Sequence, residues 1–367
     1  MSSRSIYTTS RIFTGEGWLK DHAIIVADSL IEQIVPVASL EKEKITQDFK
    51  ESFIAPAFID IQIYGAQGKL FSAYPEADSL GKLADHCRKS GTAWSMPTVA
   101  TNELSVFYKA IDAIREYWKA GGQGILGLHV EGPWINPIKR GAHLEKFIHS
   151  PSVEEVKALL DYGKDVIKII TLAPEVCSKE VIKIVLSSGV TVSAGHSNAT
   201  YEEAINGFAT GIPMVTHLYN AMSPLHHRAP GLVGATLNAN VMASIVPDGH
   251  HVDFAAIRIA KTIMKERLFV ITDAVTETNT GPYQHYLAGD KYESAGILSG
   301  TALTLQKSLT NLINHAGIEL EEALRMCSLY PAKAIGIHGK SGYLSPGYRA
   351  DMVVLNDRLQ VVSSLYH

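Results

Sequence analysis

Eight apolar segments of strand length alternate with helix-like segments along most of the chain, and this alternation limits the fold more than any other feature. The segments predicted as strands are Phe53–Ile63, Thr92–Val99, Gly124–Glu131, Val166–Leu172, Val190–Ala194, Met214–Leu218, Val241–Val246 and Leu268–Thr272. Segments that are apolar almost throughout, such as Gly124–Val130, predict a parallel sheet covered by helices on both faces. Eight strand–helix units over about 225 residues match an α/β fold of the (β/α)8 TIM-like barrel type, which typically takes about 250 residues. An open doubly wound sheet is the alternative, and the lack of a Gly-x-Gly-x-x-Gly motif after the first strand counts against it.

Apolar residues at helical spacing mark the segments between and after these strands. The segments predicted as helices are Asp78–Ser90, Glu103–Ala120, Ser152–Tyr162, Ser178–Ser188, Tyr201–Thr210, Phe254–Lys265, Leu303–Ala316 and Leu320–Ser328. Ser152 followed by Glu155 is a capping-box pattern, which predicts the start of a helix at this point.

Both ends of the chain have the short, turn-rich texture of β-hairpins. His22–Ala27 and Leu30–Val35 flank the turn Asp28-Ser29, and Met352–Leu355 follows a turn that contains Pro346. Neither end is long enough to bury a good core by itself. We therefore predict that the two ends form one small composite β-sandwich domain, 1–52 with 340–367, beside a barrel domain over 53–339.

Composition excludes several classes of partner. Of 367 residues, 46% are hydrophobic and 19% are charged, and the formal net charge is −4. These ordinary values provide no basic field that would attract nucleic acid or an anionic membrane. The sequence has no N-terminal signal pattern and no apolar run of roughly 18 residues. Three widely spaced cysteines favour free thiols in a reducing compartment, so we expect a cytoplasmic protein.

Acidic residues and histidines lie at the carboxyl ends of five predicted strands, which form the active-site face in barrels of this type. Glu131 ends the third strand, His196 follows the fifth, and His217 lies in the sixth. Two imidazoles and one carboxylate suit a borderline divalent ion such as Zn²⁺, with positions left for water and substrate. The alternative is that each is an ordinary core or rim residue, but burying three such groups without a shared charge partner is costly. The set therefore predicts a metal site.

Two further residues have the chemistry of catalytic groups. Asp273 follows the eighth predicted strand and is either a helix N-cap or a general base beside water whose pKa a metal lowers to about 7. His143 lies in the loop Asn136–Phe147, together with Lys139 and Arg140. It is either part of a solvated basic loop or the donor of a hydrogen bond to a substrate carbonyl oxygen.

Polar residues after the sixth and seventh predicted strands could bind an anionic or hydroxyl-rich substrate. These residues are Asn220, Arg228 and His251. Arg228 lies in a loop that contains Pro230 and Gly231, where a planar guanidinium could hold a phosphate through two hydrogen bonds. The pattern alone leaves substrate binding and simple surface exposure equally open for these three residues.

At these residues the chain closely resembles the N-acetylglucosamine-6-phosphate deacetylases of the amidohydrolase superfamily. The matching stretches are Gly127–Trp134, Gly141–His143, Ser193–Thr200, Thr216–Met222, Asp248–Asp253, Thr272–Ala274 and Leu298–Gly300. Further matches at Arg11–Gly15, Tyr330–Ala332 and Ala350–Asp351 extend the resemblance over essentially the whole chain.

The resemblance implies a metal-dependent hydrolase that converts N-acetylglucosamine 6-phosphate and water into glucosamine 6-phosphate and acetate, a step of amino-sugar breakdown and recycling. Glu131, His196 and His217 would hold one divalent ion per subunit, with Zn²⁺ expected before Fe²⁺, Mn²⁺ or Co²⁺. Asp273 would be the catalytic base and later the acid toward the leaving amine, and His143 would polarise the acetyl carbonyl. The substrate-binding residues that the resemblance implies are Ala142, His143, Asn220, Ala221, Arg228, His251, Leu298, Ser299 and Gly300. It also implies a homodimer in which Arg228 reaches the site of the neighbouring subunit.

Two departures from the family pattern bear on the site. Many superfamily members carry a His-x-His pair after the first strand, which binds a second metal, whereas this chain has Gln62-Ile63-Tyr64. We therefore predict one tightly held metal. Tyr64 and Gly65–Phe71 lack the Asn-Gly-type sequence common after this strand, which predicts different rim contacts. The polar segment Glu277–Ser294 could form a lid.

Two alternative functions stay open at this point. The first is another reaction of the same superfamily, such as deamination or cyclic amide hydrolysis. The missing His-x-His pair and the lack of an obvious carboxylatable lysine at the fourth strand, where Lys168 lies mid-strand, count against it. The second is a barrel protein that has lost its chemistry, which would predict eroded ligands. A turnover assay separates this reading from an active hydrolase.

Overall fold

The computed structural model describes residues 4–40, 44–294 and 296–366. Within these ranges the strands are β1 (Arg4–Thr8), β2 (Arg11–Phe13), β3 (Trp18–Lys20), β4 (His22–Ala27), β5 (Leu30–Pro36), β6 (Gln47–Asp48), β7 (Phe53–Pro56), β8 (Phe58–Ile63), β9 (Gly65–Ala66), β10 (Lys69–Leu70), β11 (Thr92–Ala100), β12 (Leu128–Glu131), β13 (Ile167–Leu172), β14 (Thr191–Ala194), β15 (Met214–Val215), β16 (Met242–Ile245), β17 (Leu268–Val270), β18 (Tyr286–Ala288), β19 (Lys291–Ser294), β20 (Ile297–Thr301), β21 (Met352–Leu355) and β22 (Val361–Leu365). The α-helices are α1 (Ala77–Lys89), α2 (Leu104–Lys119), α3 (Val153–Gly163), α4 (Lys179–Ser187), α5 (Tyr201–Thr210), α6 (Gly231–Asn238), α7 (Phe254–Met264), α8 (Leu305–Asn314), α9 (Leu320–Cys327) and α10 (Leu329–Ala334). Short 3-10 helices cover Val37–Ser39, Pro137–Lys139, Glu145–Phe147, Pro174–Val176 and Lys265–Arg267.

The central sheet has eight strands, with β8 at one edge followed by β11 through β17 in sequence order. The registered pairs from β11 to β17 are parallel, and the helices α1 to α7 lie between successive strands in the chain. A parallel bridge between Ile63 and Ala274 links the two edges of the sheet. The sheet is therefore nearly closed into a barrel, and the predicted (β/α)8 fold is confirmed.

Two elements of the eight strand–helix units differ from the sequence prediction. The segment Phe53–Ile63 is two strands: β7 pairs with β2 and β21, and only β8 belongs to the barrel sheet. Helix α6 covers a stretch for which the sequence analysis predicted no helix. Its residues 231–237 are all buried, so no polar stripe marks it as helical in the sequence.

Strands from both ends of the chain share one five-stranded sheet, in the order β22-β21-β7-β2-β3. A four-stranded sheet, β5-β4-β1-β6, contains the remaining N-terminal strands. Buried residues of both sheets, including Ile12, Ile24, Ile54 and Val354, pack into one hydrophobic cluster. This packing confirms a small β-domain that is built from both chain ends.

The chain divides into two compact units. The first comprises Met1–Asp60, Cys87–Trp94 and Thr304–His367, and the second comprises Ile61–His86 and Ser95–Leu303. The domain boundaries at 52, 53, 339 and 340 stay a prediction.

Two predictions from composition can be compared with the structure. Of the helices in the described ranges, none has both the length and the apolar character that a membrane span requires. Cys87, Cys177 and Cys327 are buried and form no disulfide, as their odd number and wide spacing indicated.

Candidate active site

The residues predicted as metal ligands and catalytic base lie at the carboxyl ends of four barrel strands. Glu131 is the last residue of β12, His196 and His217 follow β14 and β15 by two residues, and Asp273 follows β17 by three. The backbone of the last three lies in the left-handed region, with φ values of 48°, 37° and 54°. Residues other than glycine rarely adopt this conformation, and such strain is concentrated at functional sites.

The Nε2 atoms of two imidazoles converge on the fully buried carboxylate of Glu131. His196 Nε2 and His217 Nε2 lie 3.4 and 3.3 Å from Glu131 Oε1 and 3.1 Å from each other. Ligand atoms at 2.0–2.1 Å from a tetrahedral zinc ion are about 3.3 Å apart, so these distances fit the edges of such a site. His196 Nδ1 contacts the carbonyl oxygen of Lys139 at 3.0 Å, an arrangement in which Nδ1 donates and Nε2 keeps its lone pair. Three acceptors this close repel one another unless a cation or a proton lies among them, and the donor set therefore fits a divalent metal.

His143 reaches the same carboxylate from the loop between β12 and α3. Its Nε2 lies 3.2 Å from Glu131 Oε2, and its Nδ1 lies 2.7 Å from Thr101 Oγ1. Glu131, His143 and His196 each offer one ligand atom within 4.8 Å of the others, so these three could also hold a metal. The sequence analysis considered His143 as part of a solvated basic loop or as a donor to a substrate carbonyl oxygen, and not as a metal ligand. Its contact with Glu131 also allows the role of a metal ligand.

Burial and mutual contacts set the charges of this group. Burial would raise the pKa of Glu131, but hydrogen bonds with His143, His196 and His217 outweigh it and hold the pKa well below the ordinary value. Burial, with the nearby charge of His143, lowers the pKa of His196 to about 4. Burial opposes protonation of His217, but its hydrogen bond with Glu131 and the nearby negative charges raise its pKa. Burial raises the pKa of Asp273, although the charge of His217 opposes this shift.

Gln62 and Tyr64 connect the two carboxylates. Gln62 Nε2 donates to Glu131 Oε1 at 2.9 Å and to Asp273 Oδ1 at 2.8 Å, and it lies 2.9 Å from the hydroxyl oxygen of Tyr64. The Tyr64 hydroxyl donates to Glu131 Oε2 and lies 3.4 Å from Asp273 Oδ1. Burial, together with the charges of both carboxylates, raises the pKa of Tyr64 well above its ordinary value, so the hydroxyl keeps its proton. The sequence analysis treated Gln62 as a poor ligand and Tyr64 as a rim residue, and it missed that both bind the carboxylates.

A cavity of about 260 Å³ opens beside this group and contains most of the predicted site residues. Those that line it are Ala142, His143, His196, His217, Asn220, Ala221, His251, Asp273, Leu298, Ser299 and Gly300. Glu131 is 0% exposed and contacts the lining histidines. Arg228 does not line the cavity, because it is exposed in the turn between His226 and Ala229.

One wall of the cavity is apolar and was not predicted from the sequence. Leu70, Val275 and Tyr283 pack together there, with Ala100 beside them. His285 also lines the cavity, and its Nδ1 lies 3.0 Å from Ser299 Oγ. These residues have no shared motif or spacing in the sequence. The segment Glu277–Ser294, predicted as a lid, contains β18 and β19, which form an antiparallel sheet with β20.

Two polar side chains of the cavity differ in how well they are satisfied. The Asn220 Nδ2 is buried and has no hydrogen-bond partner among the described residues. His251 Nδ1 contacts Asp248 Oδ2 at 2.6 Å, and Asp248 Oδ1 also accepts the backbone N–H groups of His250 and His251. Burial would raise the pKa of Asp248, but these hydrogen bonds lower it. Asp248 therefore fixes the ring of His251, whereas the Asn220 amide is left for a ligand.

The loop that carries His196 is held by Glu175. The Glu175 carboxylate accepts hydrogen bonds from Ser197 Oγ at 2.7 Å, from the Asn198 N–H at 2.6 Å and from Asn136 Nδ2 at 3.0 Å. Glycine is required at 195 because a Cβ there would lie 2.7 Å from the Thr171 side chain. Gly195 thus serves close packing between strands, and the left-handed turn occurs at His196 itself.

Two other basic residues raised by the sequence lie outside the site. His129 is buried, with Nε2 2.7 Å from Thr171 Oγ1, and burial lowers its pKa to about 4, which marks a neutral core histidine. Lys168 donates to the carbonyl oxygen of Asp165 at 2.9 Å in an exposed contact. Lys168 therefore does not provide the carboxylated lysine that a two-metal site of this superfamily would need.

Comparison with known proteins agrees with this geometry. Residues 53–364 match the amidohydrolase family, and residues 6–50 match the NagA composite domain. An N-acetylglucosamine-6-phosphate deacetylase of Haemophilus influenzae is 33% identical over 365 residues, 96% of each chain. An N-acetylgalactosamine-6-phosphate deacetylase of Escherichia coli is 32% identical over 364 residues, 96% of this chain and 95% of that protein.

A solved structure gives the same assignment. The crystal structure of an N-acetylglucosamine-6-phosphate deacetylase from Pasteurella multocida superposes with a TM-score of 0.95 at 33% identity, over 99% of this chain and 98% of that one. The chain therefore belongs to the N-acetylglucosamine-6-phosphate deacetylases of the amidohydrolase family.

Proposed function

We propose that the protein hydrolyses the acetamide group of N-acetylglucosamine 6-phosphate, giving glucosamine 6-phosphate and acetate. The observation that supports this most directly is the convergence of Glu131, His196, His217 and Asp273 beside one cavity. Relatives in Haemophilus influenzae and Pasteurella multocida bear the name of this activity. The reaction would serve amino-sugar breakdown and recycling. Three buried cysteines without a disulfide agree with a cytoplasmic location.

One divalent ion would be held by Glu131 Oε1 and the Nε2 atoms of His196 and His217. Zn²⁺ is the expected ion, with Fe²⁺, Mn²⁺ and Co²⁺ as alternatives, because two imidazoles and a carboxylate suit borderline metals. A bound ion of this kind supplies two effects: it lowers the pKa of the attacking water and polarises the amide carbonyl.

Asp273 would carry the proton through the reaction. It would take a proton from the water that attacks the amide carbon, and it would give the proton to the amine nitrogen as the C–N bond breaks. Its Oδ1 is fixed by Gln62 at 2.8 Å, while the side chain lines the cavity. Burial raises the pKa of Asp273, which favours the protonated form that returns the proton to the leaving amine.

His143 would stabilise the negative charge that develops on the amide oxygen. Its Nδ1 contact with Thr101 fixes the ring, and its Nε2, which here contacts Glu131 Oε2, would donate to the substrate oxygen. Donors fixed in advance near a developing oxyanion are worth roughly 3–4 kcal/mol in hydrolases of amides.

The sugar phosphate would be bound by residues on the other sides of the cavity. Ala142, Asn220, Ala221, His251 and the turn Leu298–Gly300 line these sides, and the unpaired Asn220 amide would donate to a sugar oxygen. Arg228 is exposed and outside the cavity of its own chain. In a homodimer it would contact the phosphate in the neighbouring subunit.

Acetate release by the Zn²⁺-loaded protein tests this function. Three substrates are compared: N-acetylglucosamine 6-phosphate, N-acetylgalactosamine 6-phosphate and unphosphorylated N-acetylglucosamine. We expect the highest kcat/KM with the first and a roughly 10–100-fold lower value without phosphate, because a hydrogen bond to a charged group contributes about 1.5–3 kcal/mol. A higher kcat/KM with the galactosamine epimer would change the assigned substrate, and no acetate from any of the three would refute the function.

A further inference from the structure

Gln62 and Tyr64 place two neutral donors between the two buried carboxylates of the site. Gln62 lies in β8, and Tyr64 follows the last residue of that strand. The amide nitrogen of Gln62 is 2.9 Å from Glu131 Oε1 and 2.8 Å from Asp273 Oδ1. The Tyr64 hydroxyl bonds the other oxygen of Glu131, Oε2. One amide and one phenol thus contact three of the four carboxylate oxygens.

The numbers of donors and acceptors agree only in one orientation. The Gln62 amide supplies two hydrogens, and the Tyr64 phenol supplies one. The two amide hydrogens serve Glu131 Oε1 and Asp273 Oδ1, and the phenol hydrogen serves Glu131 Oε2. If the amide were rotated, its carbonyl oxygen would face Glu131 Oε1 and Asp273 Oδ1, and these oxygens would repel one another in a buried place.

This network also fixes the carboxylate of Glu131 with one oxygen toward His196 and His217 and the other toward His143. Oε2 accepts from Tyr64 and lies 3.2 Å from His143 Nε2. Oε1 accepts from Gln62 on one side and lies 3.3 and 3.4 Å from the Nε2 atoms of His217 and His196 on the other. A change in the plane of the carboxylate would lose both donors, so one oxygen, Oε1 here, stays directed at the metal position.

The same network fills the space between the carboxylates. Two carboxylates that flank one nitrogen at 2.8 and 2.9 Å repel each other and attract cations. A second ion bridging Glu131 and Asp273 would have to displace Gln62 Nε2, which occupies the position between them. The neutral donors reduce the repulsion without an ion.

We propose that Tyr64, acting with Gln62, is a positioning residue that holds Glu131 for a single metal and Asp273 for proton transfer, and that excludes a second metal from the site. Tyr64 acts through the two carboxylates and not through the substrate. The role of Asp273 in this statement rests on the proposed function, whereas the effect on metal binding does not.

Removal of one hydroxyl group tests the proposal. Tyr64→Phe keeps the ring in the cavity wall and deletes the donor to Glu131 Oε2. Tyr74→Phe is the matched control, because it deletes a phenol hydrogen bond to Thr280 Oγ1 at 2.8 Å, outside the cavity. Each metal-depleted protein is titrated with Zn²⁺ against a competing chelator, and melting curves of the zinc-loaded proteins check the fold.

We expect Tyr64→Phe to raise the Kd for Zn²⁺ by roughly 10–100-fold, the usual effect of losing a partner that orients a metal ligand. We expect kcat to fall while KM stays within about twofold, since the residue does not bind substrate. Tyr74→Phe should match the wild type in both readouts. A Zn²⁺ Kd within twofold of the wild type in a folded Tyr64→Phe protein would overturn the proposal.

A second variant tests the exclusion of a further ion. Gln62→Glu keeps the shape of the side chain but replaces the donors with a third carboxylate. We expect the number of bound Zn²⁺ ions to rise from one to two per chain, measured by metal analysis after gel filtration. One ion per chain in folded Gln62→Glu would contradict the exclusion. Because Zn²⁺ binding is measured without substrate, a protein that releases no acetate would refute the proposed function and leave these binding results interpretable.

Discussion

Replacement of Asp273 by asparagine separates its proposed proton transfer from its structural contacts. The amide has the shape of the carboxylate, and its carbonyl oxygen can still accept from Gln62 Nε2, which lies 2.8 Å from Asp273 Oδ1. The variant loses the proton acceptor and a negative charge that faces Glu131. Since the lost charge is buried near another carboxylate, we expect the melting temperature to stay the same or to rise.

The size of the expected effect follows from the role of the residue. A positioned general acid–base contributes 10²–10⁴ in rate, which is about 3–5 kcal/mol of transition-state stabilisation. We therefore expect kcat for acetate release from N-acetylglucosamine 6-phosphate to fall by roughly 10²–10⁴ with KM nearly unchanged. The assay is run at saturating substrate with the zinc content of each protein determined in parallel.

Two comparisons make this result interpretable. Asp290→Asn is the matched control, since Asp290 is exposed, contacts His250 and lies outside the cavity. Its kcat should stay within twofold of the wild type. A fall in kcat of less than tenfold for Asp273→Asn, about 1.4 kcal/mol, would exclude Asp273 as the essential base. Loss of zinc together with activity would assign Asp273 to metal binding instead.

Three further substitutions test other parts of the site. Glu131→Gln removes the buried charge that His143, His196 and His217 contact. We therefore expect metal analysis of the purified protein to find less than a tenth of the wild-type zinc. Zinc retained at the wild-type level would contradict the role of Glu131 as a ligand. Arg228→Ala changes an exposed side chain, so we expect an unchanged melting temperature. We expect KM to rise roughly tenfold for the phosphorylated sugar and to stay the same for the unphosphorylated one. An equal change in KM for unphosphorylated N-acetylglucosamine would argue against a phosphate contact. Glu175→Gln leaves one of three donors without an acceptor, so we expect denaturant titration to give a free energy of unfolding lower by about 1–3 kcal/mol. We also expect weaker Zn²⁺ binding, because His196 is on the same loop. Unaltered stability would show that the loop is held by its other contacts.

The position of the proposed metal ligands and of Asp273 was predictable because strand ends in a parallel barrel are ordered by chain topology. Glu131, His196, His217 and Asp273 are separated by up to 142 residues in the sequence, yet each follows an apolar strand. Once eight strand–helix units predict a barrel, the carboxyl ends of those strands share one face. No side-chain detail is needed for this step, and the observed order of the strands agrees with it.

The parts that sequence reasoning missed depend on irregular backbone or on side-chain orientation. His143 reaches Glu131 from a loop with two 3-10 helices, which has no periodic pattern to reveal its path. Helix α6 begins after Pro230 without a side-chain N-cap and is buried on all sides, so it lacks both the start signal and the polar stripe of a surface helix. The amide of Gln62 has a donor end and an acceptor end, and only the positions of both carboxylates decide which end faces them.

Backbone strain and charge repulsion in the site reduce the free energy of unfolding of the barrel. His196, His217 and Asp273 adopt left-handed backbone conformations, each of which disfavours the folded state by roughly 1–3 kcal/mol. The buried carboxylates of Glu131 and Asp273 repel each other across Gln62 Nε2. The Nε2 atoms of His196 and His217 lie close together beside Glu131 Oε1 and add to the repulsion within the site. Neutral donors from Gln62 and Tyr64 reduce the repulsion between the carboxylates. The repulsion around Glu131 Oε1 remains, and a cation would be needed to reduce it. A cation at Glu131 Oε1 would relieve the remaining repulsion, so metal binding should stabilise the fold by mass action.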